Sequence, residues 1–199
     1  MIRVRDTFKN YEAYKKFYTE SKGYDLDIDK ITDSDKAGIP EMYRWEWGLK
    51  ELKEIDCKRV LDVGSWTGRF PLILAMNGFD VLALEANVAA YKYMKPQKYM
   101  KVNKMFEEFG GGKFDCITAF EVIEHAYDME RFIKQVELHL NDDGYFLFST
   151  PNQDGVYGDD DNEIHLWTAT LASLMETFKD WEIIDYEVGD LLLMIVRKK

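Results

Sequence analysis

Cysteine, proline, histidine and basic charge are all scarce in this chain, and each scarcity removes a class of explanation. Of 199 residues only two are cysteine, Cys57 and Cys116. Neither has partners at metal-ligand spacing, and both sit at or beside strand-like stretches, so both are expected to be reduced thiols in a cytoplasmic protein. No apolar run approaches the ~20 residues that a membrane-crossing helix needs. The opening stretch MIRVRDTFKNYEAYKK is basic but lacks the apolar centre of a signal peptide, so export is not expected. With four prolines and no repeats or low-complexity tracts, nothing marks a linker between independent domains. Lys and Arg number 26 against 37 Asp and Glu, a net charge of -11. That balance opposes broad contact with a phosphate backbone and favours a small or neutral substrate.

What is present is the composition of a globular domain, 46% hydrophobic and 15% aromatic. Helical spacing is expected over residues 10–20 and 40–55, where Met42, Trp45, Leu49 and Leu52 recur on one face behind Pro40. Between them runs the acidic connector DLDIDKITDSD. Its Asp25, Asp27 and Asp29 have calcium-loop spacing, but Lys30 and Lys36 stand where such a loop needs glycine and glutamate, so a solvated loop is expected. From Lys58 onward strands and helices alternate: RVLDVG, RFPLILAMNG, FDVLALE, NVAAYKYM, YMKVN and FDCITAF, then a helix on Met129, Phe132, Ile133, Val136 and Leu140. GYFLFST is the next strand, Leu171, Leu174, Met175 and Phe178 mark another helix, and WEIIDYEV and LLLMIV form a hairpin about Gly189-Asp190. This order predicts an α/β fold: a doubly wound, mostly parallel, seven-stranded Rossmann-like sheet with a C-terminal antiparallel hairpin. Residues 1–55 are expected to form an N-terminal helical cap and residues 56–199 the main domain.

In such a sheet ligands lie beyond the carboxyl ends of the strands, beside the first strand. Gly64 ends that strand and Gly68 opens the following helix, allowing a sharp turn and close backbone approach to a ligand. Glu85, at the end of the second strand, is 21 residues past Gly64, the usual distance for an acid accepting both hydroxyls of an adenosine ribose. A dinucleotide loop needs G-x-G-x-x-G so that a diphosphate meets bare backbone and a helix terminus. Here GSWTGR places Trp66 at the second glycine, which counts against a diphosphate and against a nicotinamide-dependent oxidoreductase.

The stretch VLDVGSWTGRF resembles motif I of class I S-adenosylmethionine-dependent methyltransferases, D-V-G-C-G-T-G, through Asp62, Gly64, Thr67 and Gly68; Ser65 and Trp66 depart from it. Glu85 matches that family's ribose-binding acid, and the resemblance spans roughly residues 58–197. It implies S-adenosyl-L-methionine as cofactor, with Asp62 and Gly64 lining the methionine end, Ser65, Gly68 and Phe120 contributing to the cofactor site, and Glu85 holding the ribose.

A second stretch, FDCITAFEVIEHAYD, follows the fourth strand of that series. If the chain turns helical at Glu121, then Glu121, Glu124 and His125 share one face at i, i+3 and i+4. Two carboxylates and an imidazole attract a divalent cation, Mg²⁺ or Mn²⁺, with histidine favouring Mn²⁺, Fe²⁺ or Zn²⁺. His165 lies beyond the fifth strand and is expected at the same crevice. E-V-I-E-H is similar to a pattern in ubiquinone-biosynthesis O-methyltransferases. It is also similar to one in 3′-terminal RNA ribose methyltransferases, where E-x-x-E-H is joined by a histidine ahead of W-T and after T-P-N. This chain has STPN at 149–152 and HLWT at 165–168. The match implies a metal held by Glu121, Glu124, His125 and His165, with a generic active-site loop, in which His125 is the base, as the competing reading.

The sequence therefore points to methyl transfer onto an oxygen of a small molecule or sugar, with His125, Glu121 and Glu124 as catalytic residues. A terminal-RNA ribose methyltransferase, a nicotinamide-dependent oxidoreductase and a catalytically silent S-adenosylmethionine-binding module stand as alternatives. Tyr43, Arg44, Trp45 and Trp47 fit either a substrate-pocket floor or a packed helix face. Phe106 is a candidate to stack on adenine, and Asp159, Asp160 and Asp161 read as a solvated loop.

Overall fold

Continuous apolar runs become the centre of the sheet, and amphipathic runs become the helices that cover it. The computed structural model describes residues 1–20, 39–95, 98–155 and 162–199. The acidic connector with Asp25, Asp27 and Asp29, and the Asp159–Asp161 run, lie outside them. In chain order the elements are β1 (Ile2–Arg3), α1 (Tyr11–Glu20), α2 (Ile39–Glu54), β2 (Arg59–Val63), α3 (Arg69–Met76), β3 (Asp80–Glu85), α4 (Val88–Tyr93), β4 (Met100–Asn103), β5 (Phe114–Phe120), α5 (Met129–His139), β6 (Leu140–Pro151), β7 (Trp167–Thr168), α6 (Leu171–Thr177), β8 (Glu182–Val188) and β9 (Leu191–Arg197).

The main sheet has the order β4-β3-β2-β5-β6-β9-β8. Strands β4, β3, β2, β5 and β6 pair in parallel, while β9 runs antiparallel to both β6 and β8. This is the mostly parallel seven-stranded sheet with a reversed C-terminal hairpin that the alternation of elements predicts. A second, two-stranded sheet was not expected: β1 pairs antiparallel with β7, Ile2 opposite Thr168 and Arg3 opposite Trp167. Two residues per strand are too short to leave an alternating pattern.

Side-chain alternation sends β2 and β5 residues to opposite faces. Leu61, Val63, Ile117 and Ala119 join one core with Phe132, Val136, Leu174 and Phe178 of α5, α6 and the residue after it. Val60, Cys116 and Phe120 join the other with Trp47, Leu52, Phe70 and Leu74 of α2 and α3. Helix α2 thus packs on a sheet face, whereas α1 lies over the strand ends, where Tyr14 packs with Met105 and Leu166. Both cysteines are free and buried in the α2/α3 face. No described helix is long and apolar enough to cross a membrane.

Candidate active site

The chain runs β2, β3, β4 to one side and returns to β5 on the other, so strand order reverses between β2 and β5. At the carboxyl ends of these two strands lies a cavity of about 460 Å³. Such reversals are where open α/β sheets bind ligands, because the diverging connections leave a crevice there.

The loop after β2 is shaped by backbone that only glycine adopts cheaply. Gly64 has φ 70°, and a Cβ there would stand 2.5 Å from Val122 Cγ2, so the β2 and β5 loops touch through the missing side chain. Trp66, also left-handed at φ 49°, donates its backbone N–H to Glu85 Oε2 at 2.7 Å. The Asn87 N–H donates to Glu85 Oε1 at 2.7 Å. Glu85 is only 6% exposed, and burial raises its carboxyl to about pKa 7 against the opposing pull of the Asn87 and Trp66 N–H groups. Asp62, on β2, is raised to about 6 by burial, with the Thr118 hydroxyl donating to its Oδ1 at 2.6 Å. Ser65 Oγ donates to the Asp62 carbonyl and closes the turn.

The turn after β5 differs from the helix that the spacing predicts. Glu121 has φ 56°, outside the helical region. Its N–H donates to the carbonyl and hydroxyl oxygens of Ser149, and Ser149 Oγ donates to Glu121 Oε1 at 2.7 Å. Pairing with the end of β6 wins over helix initiation, and only a short 3₁₀ turn forms, over Ile123–His125. Glu121, Glu124 and His125 are therefore not one helical face. Glu124, His125 and His165 do converge, with one ligand atom from each within 4.8 Å of the others. Glu121 is outside this trio and is held by Ser149. The trio is assembled by the loop ahead of β7, where the Leu166 N–H donates to the Glu124 carbonyl at 2.9 Å.

Glu124 is 1% exposed, and among the described residues neither carboxylate oxygen meets a donor in hydrogen-bonding geometry. Burial and then the Glu121 charge hold the Glu124 carboxyl well above the usual range. The nearby Thr150 hydroxyl, also buried, acts to lower the Glu124 pKa. Glu121 is raised by burial, with Ser149, Arg44 and His165 acting in the opposite direction. His125 Nδ1 is 3.1 Å from the Ile164 carbonyl oxygen, which can only accept, so Nδ1 carries a proton, and Nε2 stands 3.9 Å from Glu124 Oε1.

Asp62, Gly64, Ser65, Glu85, Phe120, Glu121, His125 and His165 all line the cavity. Gly68 and Glu124 do not: Gly68 (φ 78°) starts α3 against Tyr99, and Glu124 is buried behind His125. Of the aromatic α2 group, Arg44 and Trp45 line the cavity, whereas Trp47 is core and Tyr43 is exposed and bonded to Glu187. Phe106 borders the cavity with its ring edge-on to Phe132 at 5.0 Å. Sequence reasoning missed Tyr14, Tyr18 and Arg69 as wall residues; the i, i+4 spacing of the two tyrosines was the available signal.

A methyltransferase-domain model matches residues 36–187, most of the chain and all of this crevice except the α1 wall. The chain belongs to the methyltransferase-domain family. Among curated members, the ubiquinone biosynthesis O-methyltransferase of Rickettsia prowazekii is 30% identical over 121 residues, covering 55% of this chain and 48% of that protein. This family member thus spans about half the length of the curated relatives it matches. Its fold is similar to magnesium protoporphyrin IX methyltransferase from Synechocystis PCC 6803 (TM-score 0.72, 11% identity, 94% and 99% of the two chains). An S-adenosylmethionine-dependent methyltransferase from Clostridium acetobutylicum is also similar (TM-score 0.68, 13% identity, 86% and 97%).

Proposed function

We propose that this chain transfers the methyl group of S-adenosylmethionine to a hydroxyl oxygen of a small molecule or sugar. The observation that carries the reading is one continuous cavity joining the Glu85 carboxylate to the Glu121–His125 turn. The curated O-methyltransferase relatives support oxygen as the acceptor atom.

The residues fit the cofactor. Glu85 is fixed by two backbone N–H groups and, once ionised, accepts from ribose hydroxyls. The bare Gly64 backbone would admit the methionine portion, and Asp62 and Arg44 in the wall would suit its ammonium and its carboxylate. When bound, the cofactor would supply a sulfonium methyl open to in-line displacement by an acceptor oxygen, the sulfur keeping the C–S electron pair. With no metal bound, His125 would take the hydroxyl proton on Nε2, since Ile164 faces Nδ1; with a metal at this corner the same nitrogen would be a ligand instead. Trp45, Tyr18 and Phe120 narrow the cleft and limit water around the reacting atoms.

The Glu124, His125 and His165 trio also fits a divalent cation. A buried carboxylate whose oxygens meet no donor in hydrogen-bonding geometry among the described residues, beside two imidazoles, is a mixed O/N donor set suited to Mn²⁺, Fe²⁺ or Zn²⁺. When bound, such an ion lowers the pKa of an acceptor hydroxyl. Neighbouring hydroxyls on the acceptor suit this corner, and the net charge of -11 favours a free diol over RNA. Incubation with methyl-labelled cofactor, a panel of vicinal aromatic and sugar diols, and either Mn²⁺ or chelator tests the proposal. Label is expected on a diol oxygen, with more transfer in Mn²⁺. Tight cofactor binding with no transfer to any acceptor would favour the silent binding module.

A further inference from the structure

His165 sits on a loop of residues 162–166 without helix or strand, so its position depends on whatever satisfies that loop's backbone. Each of its five carbonyls receives a donor. The Arg5 guanidinium donates to Asn162 O, and from the same Nη1 to His165 O at 3.4 Å. Thr7 Oγ1 donates to Glu163 O at 2.6 Å. Ile164 O is shared by His125 Nδ1 at 3.1 Å and the Tyr18 hydroxyl at 3.4 Å. The Val4 N–H donates to Leu166 O at 3.0 Å. The β1–β7 pairing then continues the contact through Trp167 and Thr168.

We infer that the N-terminal segment, residues 2–7, is a strap that positions His165 at the acceptor corner, with Arg5 as the positioning residue. This rests on the reading of Glu124, His125 and His165 as that corner. The turn is closed by the His165 N–H on Asn162 O at 3.0 Å, and Asn162 Nδ2 lies 3.0 Å from His165 Nε2; Arg5 has a particular place in the net because one guanidinium clamps both ends of this turn from outside and so holds the Asn162–His165 pair in place. Among the described residues its bonds to this loop go to backbone oxygens, and it does not line the cavity. Arg5 bonds Asn162 O at the surface, so in its absence water can reach that carbonyl and the fold survives. The consequence is loss of aim rather than loss of structure.

The test uses the full chain and its small number of histidines: only His125, His139 and His165 contribute imidazole signals. The rings of His125 and His165 are 4.7 Å apart, close enough for ring-proton cross-relaxation in a nuclear magnetic resonance experiment. That cross-peak is expected in the native chain and in Arg5→Lys, and lost or strongly weakened in Arg5→Ala. His139, held between the carbonyls of Phe109 and Gly112, serves as the unmoved reference. S-adenosylhomocysteine affinity by calorimetry is expected to stay within about two-fold in Arg5→Ala, reporting an intact fold, while Mn²⁺ affinity falls about ten- to hundred-fold, as when outer support of metal ligands is removed. Thr7→Ala provides a milder second variant. An intact cross-peak in Arg5→Ala overturns the strap. If the native chain binds no Mn²⁺, the metal reading fails, and the cross-peak alone decides the strap.

Discussion

Glu85 and Asp62 are two buried acids that burial makes reluctant to ionise, at about 7 and about 6. The folded chain holds these protons more tightly than the unfolded chain does. Their stabilising contribution is therefore complete below the unfolded carboxylate value and is lost as pH rises through about 6 and about 7. The ligand-free protein is expected to lose thermal stability between about pH 4 and about pH 7. Asp62→Asn keeps an acceptor for Thr118 and removes one titration, so its melting temperature should fall less steeply over that range; an equally steep fall would mean that other groups dominate. Ser149 is the matching test at the β5 end. Ser149→Ala removes the hydroxyl that donates to Glu121 and lowers its carboxyl pKa. A loss of about 1–3 kcal/mol in urea unfolding is expected from a hydrogen bond to a charged group.

Two loops rather than two elements make the crevice, and they meet at Gly64. Gly64→Ala puts a methyl in a left-handed residue and 2.5 Å from Val122 Cγ2. The expected cost is about 1–3 kcal/mol of stability together with weaker S-adenosylhomocysteine binding. Val122→Ala in the same chain should restore the steric part, while the strain of φ 70° persists. No recovery in the double variant would show that strain alone dominates. At this scale the strands and helices were largely legible, because FDCITAF, RVLDVG and the 129–140 periodicity are strong local signals that the sheet merely assembles. The turn at Glu121 was not legible. Its conformation is decided by Ser149, 28 residues away in the chain, which satisfies the Glu121 N–H before a helix can. Local spacing carries no trace of that competition.

Across the molecule, sequence reading brought the glycine loop, Glu85, His125 and His165 to one end of the sheet, since strand order follows from the alternation of elements. The expected N-terminal cap named none of the α1 residues that wall the cavity, and the β1–β7 pairing was not foreseen; both depend on contacts between residues far apart in the chain. The proposed metal corner is tested at this scale too. His165→Ala is expected to weaken Mn²⁺ binding at least ten-fold, read by electron paramagnetic resonance, without changing S-adenosylhomocysteine affinity; unchanged Mn²⁺ binding would remove His165 from the corner. The account as a whole depends on the nucleoside lying across the β2 and β3 ends with its ribose on Glu85. Calorimetric titration of the native chain and Glu85→Gln with S-adenosylhomocysteine tests this most directly. The account predicts saturable one-to-one binding that strengthens as pH rises through about 7 in the native chain. It also predicts at least about ten-fold weaker, pH-flat binding in Glu85→Gln, the scale of a lost charged hydrogen bond. Equal affinity in the two proteins, or no heat of binding in either, would contradict it.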